Sequence, residues 1–309
     1  MLIHFGPDHL NPEWAGSVVC IGTFDGVHLG HQTLIKKTVE LGHQKHLPSV
    51  VLTFDRHPAE ILAPDHAPLP INTLDQNLDL INALGVSATV ILPFNQKLAD
   101  CPAEQFYQTI LKNHLKAESI VIGHDFAFGH NRQGTPDWLQ QRIETHILEP
   151  VEINHLRVSS SQIRHAIKTG NCEVAAQLLG RPFQIKAPIV AGQQLGRTLG
   201  YPTANLARSS NLCSLPHGIY ACQAETPFGL FTAAASIGTR PTVQGTHPTI
   251  EAFLLDYTGE SLYGHIIALD FHHRLRDELK FNGLEELKSQ MAIDVQQTRQ
   301  IIASATSNH

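Results

Sequence analysis

Residues 18–31 read VVCIGTFDGVHLGH. An apolar run, Val18-Val19-Cys20-Ile21, leads into a Gly-rich turn, and a helix-like stretch follows from residue 30 to 42. Strand, glycine turn and helix in that order make an anion-binding entrance. Glycines let backbone N–H groups approach a phosphate, and the helix N-terminus adds partial positive charge. His28 and His31 flank Gly30 at the start of this helix. Two imidazoles beside such a cradle point to chemistry on a phosphate; the alternative is that they only cap the helix. The turn is not GxGxxG, which disfavours a dinucleotide site, and no GxxxxGK[ST] occurs in the chain.

Working outward, short continuous apolar segments at 17–21, 49–54, 89–92 and 119–122 alternate with helix-like segments at 30–42, 73–84, 103–115 and 136–143. Continuous apolar strands are those buried on both faces, and alternation with helices predicts a parallel, doubly wound sheet. Ligands then bind at the carboxyl ends of the strands. Three loops fall there: 22–31, 54–58 and 123–129. Ser159, Ser160 and Ser161 offer N-caps for a helix over 162–168 stopped by Gly170, and a second short helix spans 173–179 before Gly180. Beyond residue 182, β-like runs at 184–190, 218–224, 230–237, 249–255 and 265–271 are separated by Gly, Pro and Asn turns. This spacing predicts a small antiparallel barrel or sandwich. Residues 283–302 close the chain as an amphipathic helix with Leu284, Leu287, Met291 and Val295 on one face.

Composition narrows the function classes. A chain of 309 residues accommodates two domains. With 28 acidic against 22 basic residues, it lacks the basic surface of a general nucleic-acid binder. No apolar run approaches the ~18 residues of a membrane span, and the N-terminus has no signal-peptide pattern. The five cysteines show no CxxC spacing, which disfavours zinc and a disulfide framework and fits a reducing cytoplasm.

Two further clusters carry chemistry. Hydroxyls of Ser160 and Ser161 at a helix N-terminus, with Arg164 one turn on, suit a polyphosphate clamp; a capped helix with a surface arginine is the plainer reading. In 123–129, GHDFAFG, Asp125 with Phe126 and Phe128 suits a heterocycle at a strand end; a core-packed phenylalanine pair is the alternative.

GTFDGVHLGH resembles the HxGH nucleotidyltransferase signature. Together with TFDRHP (53–58), GHDFAFG (123–129) and VSSSQIR (158–164), it is similar to the adenylyltransferase half of the bacterial bifunctional riboflavin kinase/FAD synthetases. GQQLGRTLGYPTANL (192–206), GIY (218–220), SIGTRPT (236–242), IEAFLLD (250–256), LYG (262–264) and LRDELKF (275–281) resemble the riboflavin kinase half, in the same order. The resemblance covers nearly the whole chain. It implies a Rossmann-like nucleotidyltransferase domain over 1–180, with helices on both sheet faces. It also implies a small antiparallel β-barrel kinase domain with a closing helix over 181–309.

The implied reactions are phosphorylation of riboflavin to FMN and adenylylation of FMN to FAD. Riboflavin, FMN and ATP are the substrates and Mg²⁺ accompanies ATP; no permanently bound cofactor is required, and neither nucleic acid nor membrane is a partner. Glu251 is implied as the kinase base, Thr203 and Asn205 as Mg²⁺-placing oxygens, and Gly192, Gly196, Arg197 and Gly200 as the phosphate-side loop. By their own pattern, Thr203 and Asn205 also read as turn residues and Glu251 as an exposed strand charge. In the other half, His28, His31 and Arg164 are the implied catalytic groups, with Gly22, Thr23, Phe24, Ser160 and Ser161 at the nucleotide. Phe54, His57, Pro58, Asp125, Phe126 and Phe128 are placed toward the flavin there, and Gly218, Tyr220 and Arg276 toward the flavin in the kinase half. Arg56, Ala127 and Arg240 depart from residues common in the family, as do Ala187 and Ala191. These departures leave substrate affinity and relative rates open; the alternatives are a riboflavin kinase whose adenylyl transfer is weakened by the altered first-domain residues, and a flavin-binding regulator without turnover.

Overall fold

The computed structural model describes residues 1–6, 14–191, 203–207, 211–242 and 245–306. It divides into two compact units, Met1–Ser160 and Ser161–His309.

In the first unit the chain runs β1 (Leu2–Phe5), β2 (Ser17–Ile21), α1 (Leu29–Lys45), β3 (Ser49–Phe54), α2 (Ala59–Leu62), α3 (Leu74–Asn82), β4 (Ala88–Leu92), α4 (Gln96–Ala99) and α5 (Ala103–Phe106). A π-helical segment (Tyr107–His114), β5 (Ala117–Gly123), α6 (Pro136–Gln140), β6 (Glu144–Leu148) and the small hairpin β7 (Glu152–Ile153) and β8 (Leu156–Arg157) complete it. Six strands form one parallel sheet in the order β1-β4-β3-β2-β5-β6. Alternate residues of the central strands enter two separate cores. Val19, Ile21, Val50, Leu52, Ile120 and Ile122 pack with Phe106, Tyr107, Leu111 and Leu139. Val18, Cys20, Val51 and Val121 pack with Phe24, Ile35, Leu41 and Ile81. Helices therefore cover both faces, as continuous apolar strands require. Burial pushes the Cys20 thiol up to about 12, so it is an inert core residue.

From β2, strands β3 and β4 lie to one side and β5 and β6 to the other. This reversal puts the carboxyl ends of β2 and β5 side by side, the place where doubly wound sheets open a crevice. Strands β1 and β6 were not expected. β1 is an edge strand with Leu2, Ile3 and Phe5 exposed, so it lacks the pattern of a buried strand.

Helix α7 (Ser160–Thr169) starts on the last residue of the first unit and continues into the second, where α8 (Cys172–Leu179) follows; they end at Gly170 and Gly180 with φ of 77° and 73°. Strands β9 (Phe183–Val190), β10 (Thr203–Leu206), β11 (Gly218–Thr226), β12 (Gly229–Thr242), β13 (Gly245–Leu254) and β14 (Ile266–Arg276) close into an antiparallel barrel in the order β10-β13-β12-β11-β14-β9. The expected "barrel or sandwich" resolves to a barrel because β10, unpredicted and only four residues long, pairs with both β13 and β9. The interior is made of small and branched side chains, Ala224, Ala233, Ala235, Ala252, Ile185, Ile237 and Ile250, around a Tyr220–Phe271 edge-on pair. Helix α9 (Leu284–Thr306) packs on β11, β12 and β14. Its buried face is Asp294, Thr298 and Ile302, whereas Leu284, expected inside, is 63% exposed.

Candidate active sites

The turn after β2 is held open by backbone strain and a buried polar network. Phe24, Gly26 and Val27 have φ of 48°, 78° and 39°, a conformation that non-glycine residues hold only when their surroundings enforce it. The Asp25 side chain accepts from the Ile71 N–H through both oxygens (3.0 and 3.1 Å) and from the Asn72 N–H (3.4 Å). Asn77 Oδ1 accepts from Gly26 N–H and from Asn72 Nδ2 (3.1 and 3.2 Å). Asp25, Asn72 and Asn77 are all buried. Sequence reasoning missed all three. Asp25 lay inside the quoted motif, but the partners sit some fifty residues away and only the fold joins them.

His28 is the N-cap of α1: its Nδ1 accepts from the His31 N–H at 3.2 Å. A neutral ring whose Nδ1 accepts carries its proton on Nε2, which is then a donor for an anion. The His31 ring stacks on His28 with centroids 3.6 Å apart and lies edge-on to Phe24 at 5.2 Å. Capping and phosphate chemistry are therefore compatible: capping orients the ring. Gly30 makes the arrangement possible, because a Cβ there would lie 3.2 Å from His28 Nδ1 and Cε1. Of Gly22, Thr23 and Phe24, the trio expected at the nucleotide, Phe24 is the buried member. Its ring is fully buried and supports His31 from below.

Other expected residues take up defined places. Gly22 donates its N–H to Leu52 O, extending β2 by one bond. Ser160 Oγ, on the last residue of the first unit, donates to Asp25 O at 3.1 Å. Ser161 is exposed and Arg164, one turn along, is buried in the second unit. Thr23, Phe54 and His57 line a cavity of about 170 Å³ together with Asp55, Arg56 and Glu60. Pro58 begins α2 beside it. His57 Nδ1 accepts from the Ala59 N–H at 3.1 Å, which again leaves the proton on Nε2 of a neutral ring. Phe126 and Phe128 stack at 5.8 Å, and Phe128 meets Phe106 and Trp138. Both lean on the core while Asp125 stays exposed and pairs with Arg157 at 2.6 Å.

In the barrel, Asn205 on β10 is the register partner of Glu251 on β13. Residues two apart on a strand share a face, and register partners do too. Thr203, Asn205 and Glu251 therefore share the outer face, while Leu206, Ile250 and Ala252 point into the core. Thr203 Oγ1 donates to Glu251 Oε2 at 3.2 Å. Ser236 on β12 is the other register partner of Glu251, a neighbour that no sequence spacing revealed. The expected loop residues Gly192, Gly196, Arg197 and Gly200 lie outside the described residues.

Two residues expected toward the flavin in this unit have partners within the protein. Tyr220 is fully buried and its hydroxyl donates to Pro216 O at 2.6 Å, with burial raising its pKa. It is a core residue with no exposed edge for a ligand. The Arg276 guanidinium is taken up by the buried Asp294 of α9, Nε to Oδ1 at 3.0 Å and Nη2 to Oδ2 at 2.6 Å. It clamps the closing helix to the barrel. Gly218 leaves space for the chain beside it, since a Cβ there would meet the Arg276 carbonyl at 2.6 Å.

The chain was compared with known proteins. A FAD synthetase family model matches residues 10–162 and a riboflavin kinase model matches residues 179–302. The bifunctional riboflavin kinase/FMN adenylyltransferase of Pseudomonas fluorescens is 36% identical over 96% of this chain and 97% of its own. That of Bacillus subtilis is 35% identical over 94% of each chain. A crystal structure described as a macrolide-efflux protein from Streptococcus pneumoniae superposes with a TM-score of 0.90, at 32% identity, over 97% of this chain and 99% of that one. Among the described residues, no helix of this chain is long and apolar enough to cross a membrane. Matched over nearly its whole length by relatives that share both halves in the same order, the chain belongs to the bifunctional riboflavin kinase/FMN adenylyltransferase family.

Proposed function

We propose that this chain carries both activities of its family: it phosphorylates riboflavin to FMN and adenylylates FMN to FAD. The observation that carries the reading is that each half has a formed polar site, the Asn205–Glu251 register pair with Thr203 in one and the capped His28–His31 stack in the other.

In the kinase half, Glu251 would take the proton from the riboflavin 5′-hydroxyl as its oxygen attacks the γ-phosphorus of ATP; the bond to the β-phosphate oxygen breaks and ADP leaves. A carboxylate within hydrogen-bond reach of the hydroxyl suits general-base work. The Thr203 hydroxyl, bonded to Glu251, would hold that carboxylate in place. Among the described residues, no three His, Cys, Asp or Glu side chains converge as a metal cage. Neutral oxygens at Thr203 and Asn205 fit Mg²⁺ held chiefly by the ATP phosphates and water, where it would neutralise charge on the transferred group.

In the adenylyltransferase half, an FMN phosphate oxygen attacks the α-phosphorus of ATP, the bond to the β-phosphate breaks and pyrophosphate leaves. The nucleophile is already anionic, so the task is positioning and charge stabilisation. His28 Nε2–H and His31 would bear on the ATP phosphates at the α1 N-terminus. Ser160, bonded to the turn after β2, would receive the pyrophosphate end.

The test is chromatographic separation of products after incubation with riboflavin, ATP and Mg²⁺. FMN followed by FAD is expected. FMN alone would leave a kinase only, and neither product would leave a flavin-binding regulator. Glu251→Gln should abolish FMN formation yet spare FMN-to-FAD conversion, and His28→Ala should do the reverse by ~10²-fold or more. Parallel loss of both activities in either variant would overturn the assignment of separate sites.

A further inference from the structure

The cavity at the carboxyl ends of β2 and β3 contains one feature that the roles above leave unused. Its wall includes the carboxylates Asp25, Asp55 and Glu60, and Arg56 is the only lysine or arginine among its lining residues. A site that admits a phosphate monoester against three carboxylates needs a compensating cation. Arg56 lies in the wall beside Asp55. Its Nη2 lies 3.3 Å from Asp55 Oδ2, and Asp55 is itself anchored because Oδ1 accepts from the Phe94 N–H at 2.8 Å. The other two carboxylates are engaged with backbone. Asp25 accepts from Ile71 and Asn72, and Glu60 Oε1 accepts from the His57 N–H at 2.9 Å. Arg56 is 48% exposed at its side chain. A guanidinium has five N–H donors, and one contact to Asp55 leaves the rest of the fork for a second anion.

We infer that Arg56 is a positioning and specificity residue of the adenylyl-transfer site, holding the phosphate of FMN and so selecting the phosphorylated flavin over flavins without one. The inference rests on the adenylyltransferase reading above. Two of the three phosphate oxygens do not attack. A guanidinium on those oxygens neutralises charge that would otherwise repel the ATP phosphates, and leaves the third free to reach the α-phosphorus. The aromatic wall at Phe54, with Phe94 edge-on to it at 5.3 Å, supplies the apolar surface for the ring system. The phosphate and the ring are thus recognised by different side chains, and the two contributions separate experimentally.

The experiment measures FMN-to-FAD conversion by the full-length protein and by Arg56→Gln and Arg56→Lys. It includes competition by lumiflavin, a flavin ring that carries neither ribityl chain nor phosphate. Arg56→Gln should raise KM for FMN about tenfold, or ~1.4 kcal/mol. KM for ATP, the lumiflavin inhibition constant and the thermal midpoint should stay within twofold or a few degrees of wild type. Arg56→Lys, which keeps the charge and loses the fork, should recover part of the FMN affinity. An unchanged KM for FMN in Arg56→Gln would overturn the inference. So would an equal loss of lumiflavin inhibition, which would make Arg56 part of the ring pocket. Wild-type protein that makes no FAD from FMN would instead overturn the adenylyltransferase reading on which the inference stands.

Discussion

Gly30→Ala separates catalysis from stability at the α1 N-terminus. The added Cβ would lie 3.2 Å from both His28 Nδ1 and His28 Cε1. Ordinary carbon contacts begin near ~3.5 Å, so the imidazole must retreat by about 0.3–0.5 Å. The His28 Nδ1 to His31 N–H bond is already 3.2 Å long. The retreat takes it past the range of a useful hydrogen bond. Losing such a cap costs about 1 kcal/mol, while replacing a helical glycine by alanine returns up to ~1 kcal/mol. The thermal midpoint of the variant should therefore stay within about 3 °C of wild type. Activity should not follow stability. A ~1 Å misplacement of a catalytic group costs on the order of 10²-fold, so half that distance predicts about tenfold slower conversion of FMN to FAD. Phosphorylation of riboflavin should be unaffected. The assay is paired initial rates for the two half-reactions, with circular dichroism melting as control. Wild-type FAD formation in a variant of normal stability would refute the claim that the capped ring geometry carries the reaction.

Other perturbations test the scaffold and the role of Arg276. Asp25→Asn replaces one of two accepting oxygens by an NH₂ group facing the Ile71 N–H. It should lower stability by ~1.5–3 kcal/mol in urea unfolding and slow FAD formation while sparing FMN formation. Arg276→Met leaves the buried Asp294 carboxylate without its fork and should cost about 3–5 kcal/mol. The double variant Arg276→Met, Asp294→Leu should regain most of that in thermal melts. If the stable double variant then loses riboflavin affinity in a fluorescence titration, Arg276 serves the flavin as well as the helix.

Much of this protein was legible one residue at a time. The strands at 17–21 and 49–54 are written as continuous apolar runs because both faces of the sheet are covered. The helix after Gly22 and the stops at Gly170 and Gly180 follow from backbone chemistry local to those residues. The histidines and the serine run before Arg164 stood out by type and spacing, whereas Glu251 was marked only by the family resemblance. What spacing does not encode is which distant segments meet. The buried bonds from Asp25 to Ile71 and Asn72 form only when the turn after β2 and the entry to α3 are brought together. β10 has four residues and no alternation to announce it, and it exists because β9 and β13 offer hydrogen bonds on both sides. Tyr220 and Arg276 sit in strands whose pattern cannot distinguish a ligand contact from a core hydroxyl or a helix clamp, since each is defined by its neighbour, Pro216 or Asp294. The sequence by itself determined the helices and central strands and many of the chemically able residues, because propensity and periodicity are local. Only the tertiary structure decided which of those residues are buried against distant partners and which stay accessible, because burial and partnership belong to contacts between segments far apart in the chain.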